Sequence, residues 1–544
     1  MSEQVRELAL KEKYDLIVVG GGCNGLAIAW DASLRGLSVL LLEKDDFGWA
    51  TSAWNSRLIH GGLKYLEKYD VPLVRESLRE REWLLKAAPH LVAPLRFYLP
   101  FYRQDTHKPW LLRAGMLAYD ILSVDKSTPW HRLFSKSSFV RSIPAVNQSD
   151  LCGGASYFET QIAEPERLMV ELSIGAREAG AHVYNHAEVT GLISDQGQVK
   201  GVRFLDRLSG TSHEAAAPVV VNAAGPWVDE VLNVLHAAGP RKLMGGTKGT
   251  HLVVAHFPGA PKEAMYYEAK SDSRPLLVIP WRGRYLLGST DERFEGSLDS
   301  ATPSEEEISY ILNETNRLIP EANLHRGDVL WCYAGVRPLP FQDEGPTSDI
   351  TRRHMVMDHA PEIRGLLSIV GGKLTTFRAL GKDTVDVVFK ALGRRTPRFD
   401  TRKLRMPGGF EGNPKQFISA FQTESTLDPT VARRLANRYG TRAQDIEKLA
   451  NSTPLLASEV PGTAGILAAE VVYSVQVEQA GTIGDVVARR IMTGLDDDLG
   501  VESIRAVGDV LMEHCGWTPD RVETELKDYR EYIHKLQPRD VKTP

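Results

Sequence analysis

Tyr14-Asp-Leu-Ile-Val-Val19 is a short, β-branched apolar run that ends at a glycine, a pattern that predicts a strand buried on both faces. From Asn24 to Arg35 the chain turns Ala- and Leu-rich with helical spacing. Gly36 is placed to cap it, and Leu37-Ser-Val-Leu-Leu-Leu42 reads as a second buried strand. A βαβ unit is therefore expected in this first stretch. From roughly 85 to 370, short alternating strands mix with helical pieces and many Pro and Gly turns, the pattern of an α+β region. Two runs inside it, Val219-Val-Val-Asn-Ala-Ala224 and Leu366-Leu-Ser-Ile-Val370, show no alternation. They are expected to return to the first sheet, so that two domains interleave.

Between Gly393 and Lys415 the chain is rich in Pro, Gly and charge, which marks a linker, and helical patterns follow. Asp428-Pro429 supplies an N-cap with Pro in the first turn, and Gly440 closes that helix. Thr518-Pro519 opens another, whose Val522, Leu526, Tyr529 and Ile533 fall on one face. A length of 544 residues supports two or three such units. Basic and acidic side chains number 65 and 70, a net charge of −5, which predicts no nucleic-acid partner. The four cysteines are scattered and no His cluster has ligand spacing, so neither a disulfide framework nor a metal site is signalled. Residues 1–13 are charged and lack an apolar signal core. No charge-free apolar run reaches the ~18–20 residues needed to span a bilayer, so membrane contact would be peripheral.

Gly20-Gly21-Gly22-Cys23-Asn24-Gly25 satisfies G-x-G-x-x-G, and it sits between predicted strand and predicted helix, where the spacing has physical meaning. The glycines allow a tight turn, close approach to a pyrophosphate and helix-on-strand packing, while the helix N-terminus presents N–H donors to the anion. Glu43, which ends the second strand about 20 residues on, can accept from a ribose diol. This spacing alone does not separate NAD from FAD. The segment Ala50–Tyr65 that follows is polar, hydroxyl-bearing and too irregular for a second βαβ repeat, and it suits the flank of a flavin. The expected fold is an α/β FAD-binding Rossmann-like domain interleaved with an α+β substrate domain, followed by an all-α domain. Its bounds are 14–395 (substrate part mainly 85–150 and 230–350), a linker at 396–415, and helices over 416–544.

With these motifs in place, the sequence resembles the FAD-dependent, quinone-linked glycerol-3-phosphate dehydrogenases. Val19–Gly36 resembles the family's N-terminal signature and Leu58-Ile-His-Gly-Gly-Leu-Lys-Tyr-Leu66 its flavin-loop signature. Val221–Trp227, Lys248–Val254, Gly335–Leu339 and Gly371–Arg378 follow in family order. Two positions depart: Lys64 stands where Arg is common, and Phe377 where Tyr is usual. The resemblance implies oxidation of glycerol 3-phosphate to dihydroxyacetone phosphate, with electrons passed to a quinone. It implies FAD contacts at Gly20, Gly22, Asn24, Gly25, Glu43, Thr51, Ser52, Ser56, His60, Gly62, Val189, Gly225, Gly372, Leu374 and Thr375. The implied catalytic set is His251 as base with Arg337 and Lys373, and the implied substrate contacts are Lys64, Tyr65 and Arg352, with Arg353 as an alternative to the last. Arg337 lies in a mostly apolar stretch, where a cation requires a partner. A glycerol-3-phosphate oxidase using oxygen, and an FAD-binding protein without turnover, stay open as alternatives, as does a homodimer.

The segment from about Leu95 to Arg141 interleaves Phe97, Phe101, Trp110, Leu111, Met116, Leu117, Tyr119, Ile121 and Trp130 with cations such as Arg113, Lys126, Arg132 and Lys136. Such a mixture is expected to seat on the inner face of the cytoplasmic membrane, because apolar burial and attraction to anionic lipid add together.

Overall fold

The run Leu-Ile-Val-Val forms the strand Leu16–Val19, every side chain of which is buried. The structure, a computed structural model, describes residues 6, 8–63, 70–106, 109–237, 239 and 242–538. This strand lies inside a six-stranded sheet in the order Met355–Asp358, Leu366–Val370, Val220–Asn222, Leu16–Val19, Val39–Leu42, His182–Tyr184. All neighbours are parallel except the first pair. Both non-alternating runs predicted to return from downstream are in it, so the domains interleave as expected. One neighbour of Leu16–Val19 is the next strand in sequence and the other comes from some two hundred residues later. The chain therefore switches direction across the sheet at this strand, and the crevice at its carboxyl end is where such folds bind ligands.

The helix Cys23–Leu34 packs on that sheet, and Gly25 is what lets it approach. A Cβ there would lie 1.9 Å from the carbonyl oxygen of Gly20. Antiparallel strands Ala187–Asp195, Gln198–Asp206 and Thr211–Ala216 form a small separate sheet.

The substrate domain is built on a ten-stranded sheet. It holds the expected segments and also draws in Leu58–Ile59 and Leu151–Ile162, which lie outside the ranges read from the sequence. Thr247–Val254 and Val329–Arg337 pair antiparallel there, with Thr247 opposite Arg337 and His251 opposite Tyr333. The stretch expected to act as linker is packed: Met406 N–H donates to Ala87 O at 3.0 Å, and Thr401 Oγ1 accepts from Arg378 at 2.8 Å. Beyond it, Asp428 caps Pro429–Tyr439 and Thr518 caps Pro519–Ile533, whose buried residues are Val522, Leu526, Tyr529 and Ile533. The helical domain shares a continuous apolar core with the substrate sheet through residues such as Trp281, Trp331 and Tyr333.

The aromatic segment expected at a membrane divides in two. Phe97, Phe101, Met116 and Tyr119 are core. Trp110, Leu111, Leu117, Ile121 and Trp130 are exposed, Trp110 at 69% and Ile121 at 58%. Helix Pro109–Leu122 thus turns one apolar face inward and one outward, and Arg113, Arg132 and Lys136 are exposed within the same segment. Among the described residues, no helix is long and apolar enough to cross a membrane.

Candidate active site

The glycine loop opens onto a cavity of about 530 Å³. Gly22 begins the helix Cys23–Leu34 with no side-chain cap and no acid in the first turn, so the positive helix end faces an anion placed in the crevice. Cys23 N–H is held by Ser52 Oγ at 3.0 Å, which ties the 48–63 loop to the glycine loop. Glu43 is buried at the end of its strand and accepts from the N–H groups of Gly21 at 2.5 Å and Asp45 at 2.9 Å. Burial, and then the adjacent Asp45 charge, push its carboxyl up to about 7. Donation from a ribose diol favours the ionised form, so this residue fits the sugar of a dinucleotide.

The cavity continues past Thr51, Ser52, Ser56, His60 and Gly62 to Gly372, Lys373, Leu374 and Thr375. Val189 and Gly225 line it as well. Its size, glycine-bounded helix end, buried acid and hydroxyl-rich wall fit FAD. Of the expected cofactor positions, Gly25 alone is not on the wall, because it serves helix packing.

Arg337, Arg352 and Lys373 line the same cavity. The partner that an arginine in an apolar stretch requires is Asp291. Its Oδ1 accepts from Arg337 Nη1 at 3.0 Å and its Oδ2 from Arg352 at 3.4 Å, so one carboxylate aims two guanidinium groups. Arg337 Nη2 also donates to Ser289 Oγ and Thr290 O, each at 2.9 Å. Gly249 on the neighbouring strand leaves room for that guanidinium, since a Cβ there would lie 2.3 Å from Nη2. Arg353 is turned away and pairs with Asp70, so the wall position belongs to Arg352. Lys373 Nζ donates to Ser77 Oγ, and burial, only partly opposed by Glu76, Glu159 and Asp70, lowers its ammonium to about 8.

His251 was expected to face substrate. The structure buries it behind Ser56: its Nε2 lies 2.8 Å from Ser56 Oγ, its ring stacks on Tyr333 at 5.0 Å, and it is not on the cavity wall. Burial, with Arg337 and Arg57 nearby, pushes it down to about 3, so the imidazole is neutral. His60 is on the wall, and burial lowers it as well. Lys64 and Tyr65 lie outside the described residues. Sequence reasoning missed Asp291, Glu159, Tyr157, Tyr266 and Arg274, all on the wall. Asp291 stands among Gly, Ser and Thr with no motif around it, and Glu159 in an ordinary strand pattern, so neither carried a local signal.

A family model described as FAD dependent oxidoreductase matches residues 15–378, and one described as the C-terminal domain of alpha-glycerophosphate oxidase matches 399–522. The fold and site are thus those of an FAD-dependent oxidoreductase, and FAD is the cofactor. A glycerol-3-phosphate dehydrogenase of Synechocystis sp. is 42% identical over 534 residues, 96% of each chain. An aerobic glycerol-3-phosphate dehydrogenase of Staphylococcus aureus is 31% identical over 98% of this chain and 97% of its own. The crystal structure of a glycerol-3-phosphate dehydrogenase from Bacillus halodurans complexed with FAD superimposes with a TM-score of 0.81 at 27% identity, covering 98% and 97% of the two chains. The chain belongs to the FAD-dependent glycerol-3-phosphate dehydrogenase family.

Proposed function

We propose that the protein oxidises sn-glycerol 3-phosphate to dihydroxyacetone phosphate and passes the electrons to a quinone at a membrane surface. The observation that carries this reading is the convergence of Arg337, Arg352 and Lys373 on the cavity that fits FAD. Three cations suit a phosphate dianion, and the fork of an arginine suits its oxygens. Bound FAD supplies the hydride acceptor, its N5, for the hydrogen leaving C2. The proton of the C2 hydroxyl goes to a neutral imidazole. Among the described residues His60 is the histidine on the wall, and His251 acts through Ser56 by fixing that hydroxyl. Lys373 stabilises negative charge that develops on the substrate oxygen.

Anaerobic mixing with a panel of polyol phosphates tests the reading. Glycerol 3-phosphate is expected to bleach the flavin, and a quinone analogue to restore its colour faster than oxygen does. Bleaching by none of the panel would remove the proposed substrate class, and rapid reoxidation by oxygen with peroxide release would make the protein an oxidase.

The pH dependence follows from Lys373. Below about 8 it is cationic, and it loses that charge as pH rises through this value. On the acid side the substrate phosphate loses its second charge near about 6. The expected profile of kcat/KM is a bell whose acid side carries both the substrate phosphate and the proton acceptor His60, which burial holds below its ordinary value, with no limb from His251, which is neutral throughout. Lys373→Arg should move the alkaline limb out of range, and an unmoved limb would assign it to another group.

The outward face of Pro109–Leu122 supports the membrane reading. Co-sedimentation with anionic liposomes is expected, weakened by salt and further by Trp110→Ser with Leu111→Ser, while dye-linked activity persists. A supernatant-only result at low salt would reverse it.

A further inference from the structure

Glu159 is 1% exposed and stands on the strand Leu151–Ile162, facing the cavity. Its Oε2 accepts from Gly61 N–H and from Arg81 Nη1, both at 2.9 Å, and its Oε1 accepts from Tyr119 O–H at 2.7 Å. The bland role for such a group is to neutralise a buried arginine. Other buried pairs in this protein neutralise with two parallel bonds, as between Arg57 and Glu166 at 3.0 and 2.8 Å and between Arg167 and Glu478 at 2.7 and 2.6 Å. Glu159 gives Arg81 one bond and spends the rest on a backbone N–H of the cavity loop and on a phenol.

That loop is gripped from both sides. The carbonyl of His60 accepts from Thr375 Oγ1 at 3.1 Å, and the next N–H, that of Gly61, donates to Glu159. Tyr119 lies directly against it, since a Cβ on Gly61 would come within 1.9 Å of the phenolic oxygen. Burial, and then Glu159, hold the Tyr119 phenol well above its ordinary value, so it remains a donor.

We propose that Glu159, backed by Tyr119, is a positioning residue for the oxidation: it fixes His60–Gly62 against the cavity through the Gly61 N–H. The inference rests on reading this cavity as the FAD site of a polyol phosphate dehydrogenase. Its charge acts on the same wall. Lys373 is faced by Glu76, Glu159 and Asp70 with Arg352 opposing, and His60 by Glu159 with Lys373 and Arg81 opposing. Loss of the Glu159 charge therefore makes Lys373 give up its proton at lower pH. It also leaves the cavity more positive, which favours reduced flavin.

The holoenzymes Tyr119→Phe and Glu159→Gln test this. Tyr119→Phe keeps the ring and removes the hydrogen bond, so kcat should fall about 10-fold with KM and FAD content near parental. In Glu159→Gln the loop shifts, and kcat should fall on the order of 10²-fold. Its alkaline limb should move to lower pH and its flavin midpoint potential should rise. Parental kcat in Tyr119→Phe together with an unmoved pH limb and potential in Glu159→Gln would overturn the proposal, as would a loss accounted for wholly by missing FAD. If Glu159→Gln does not fold, Tyr119→Phe decides by its kcat. Should no polyol phosphate reduce the parent, the functional reading fails separately, and an unmoved potential in Glu159→Gln would then overturn the positioning role.

Discussion

Asp46→Ala is expected to lower stability by about 3–5 kcal/mol, because it takes the carboxylate away from buried Arg490 and one of two carboxylates from buried Arg489. The Asp46 carboxylate accepts from Arg489 Nε at 2.6 Å, from Arg490 Nη1 and Nη2 at 2.7 and 2.8 Å, and from Asn185 Nδ2 at 2.8 Å. Arg489 also pairs with Asp485, which lies 2.7 Å from His186 Nε2. Asp46 follows the Rossmann strand that carries Glu43, whereas the arginines belong to the helical domain, so this cluster joins the two. Asp46, His186 and Asp485 have the spacing of a metal site, their donor atoms lying within 4.8 Å of one another. Here the positive charge comes from the two arginines instead. Burial alone would raise the Asp46 carboxyl, but Arg490 and Arg489 outweigh it and hold it below its ordinary value. Its contribution is therefore present above the unfolded carboxylate pKa and lost as pH falls through the lower folded one. His186 runs the other way: burial lowers it, but Asp485 outweighs burial and raises it. Its contribution is complete below the unfolded His value and lost as pH rises through the folded one. Thermal unfolding followed by flavin fluorescence across pH checks this, and an unchanged Tm in Asp46→Ala would show that the seam is held elsewhere.

Arg337→Ala is expected to reduce kcat/KM for glycerol 3-phosphate by roughly 10- to 150-fold, the equivalent of about 1.5–3 kcal/mol for one charge-assisted contact. Fold and flavin content should survive, since Thr247, Ser289, Thr290 and Asp291, to which it donates, all belong to the substrate domain. Arg337→Lys should recover part of the loss, because an ammonium keeps the charge but not the fork. Near-parental kcat/KM in the alanine variant would take Arg337 out of the site. Steady-state kinetics with a soluble dye, with flavin content measured alongside, separates these outcomes.

The elements that could be read from the chain are those whose causes lie within a few residues. Gly20 to Gly25 specify a tight turn and a helix start by backbone sterics alone, and Glu43 follows at a distance set by one helix and one strand. Asp428 and Thr518 cap their own helices, and Val522, Leu526, Tyr529 and Ile533 share a face because 3.6 residues make a turn. Even the return of Val220–Asn222 and Leu366–Val370 to the first sheet was legible, since strands without alternation need cover on both faces.

What the tertiary structure decided concerns partners far apart in sequence. Asp291 became the anchor of Arg337 and Arg352 through the pairing of strands that bring 247, 291 and 337 together. The division of the 95–141 segment into core and surface depended on which side of Pro109–Leu122 the long strands covered, and its aromatic content is the same on either account. His251 went behind Ser56 and His60 came to the wall for a like reason: a histidine beside glycine or within an apolar strand is chemically the same residue in both places. The sequence by itself determined the cofactor loop, the helix ends and the class of fold, because local sterics and periodicity act between near neighbours. Which charged groups face one another across the cavity was decided only by the packed sheets, because electrostatic partners are chosen by distance in space.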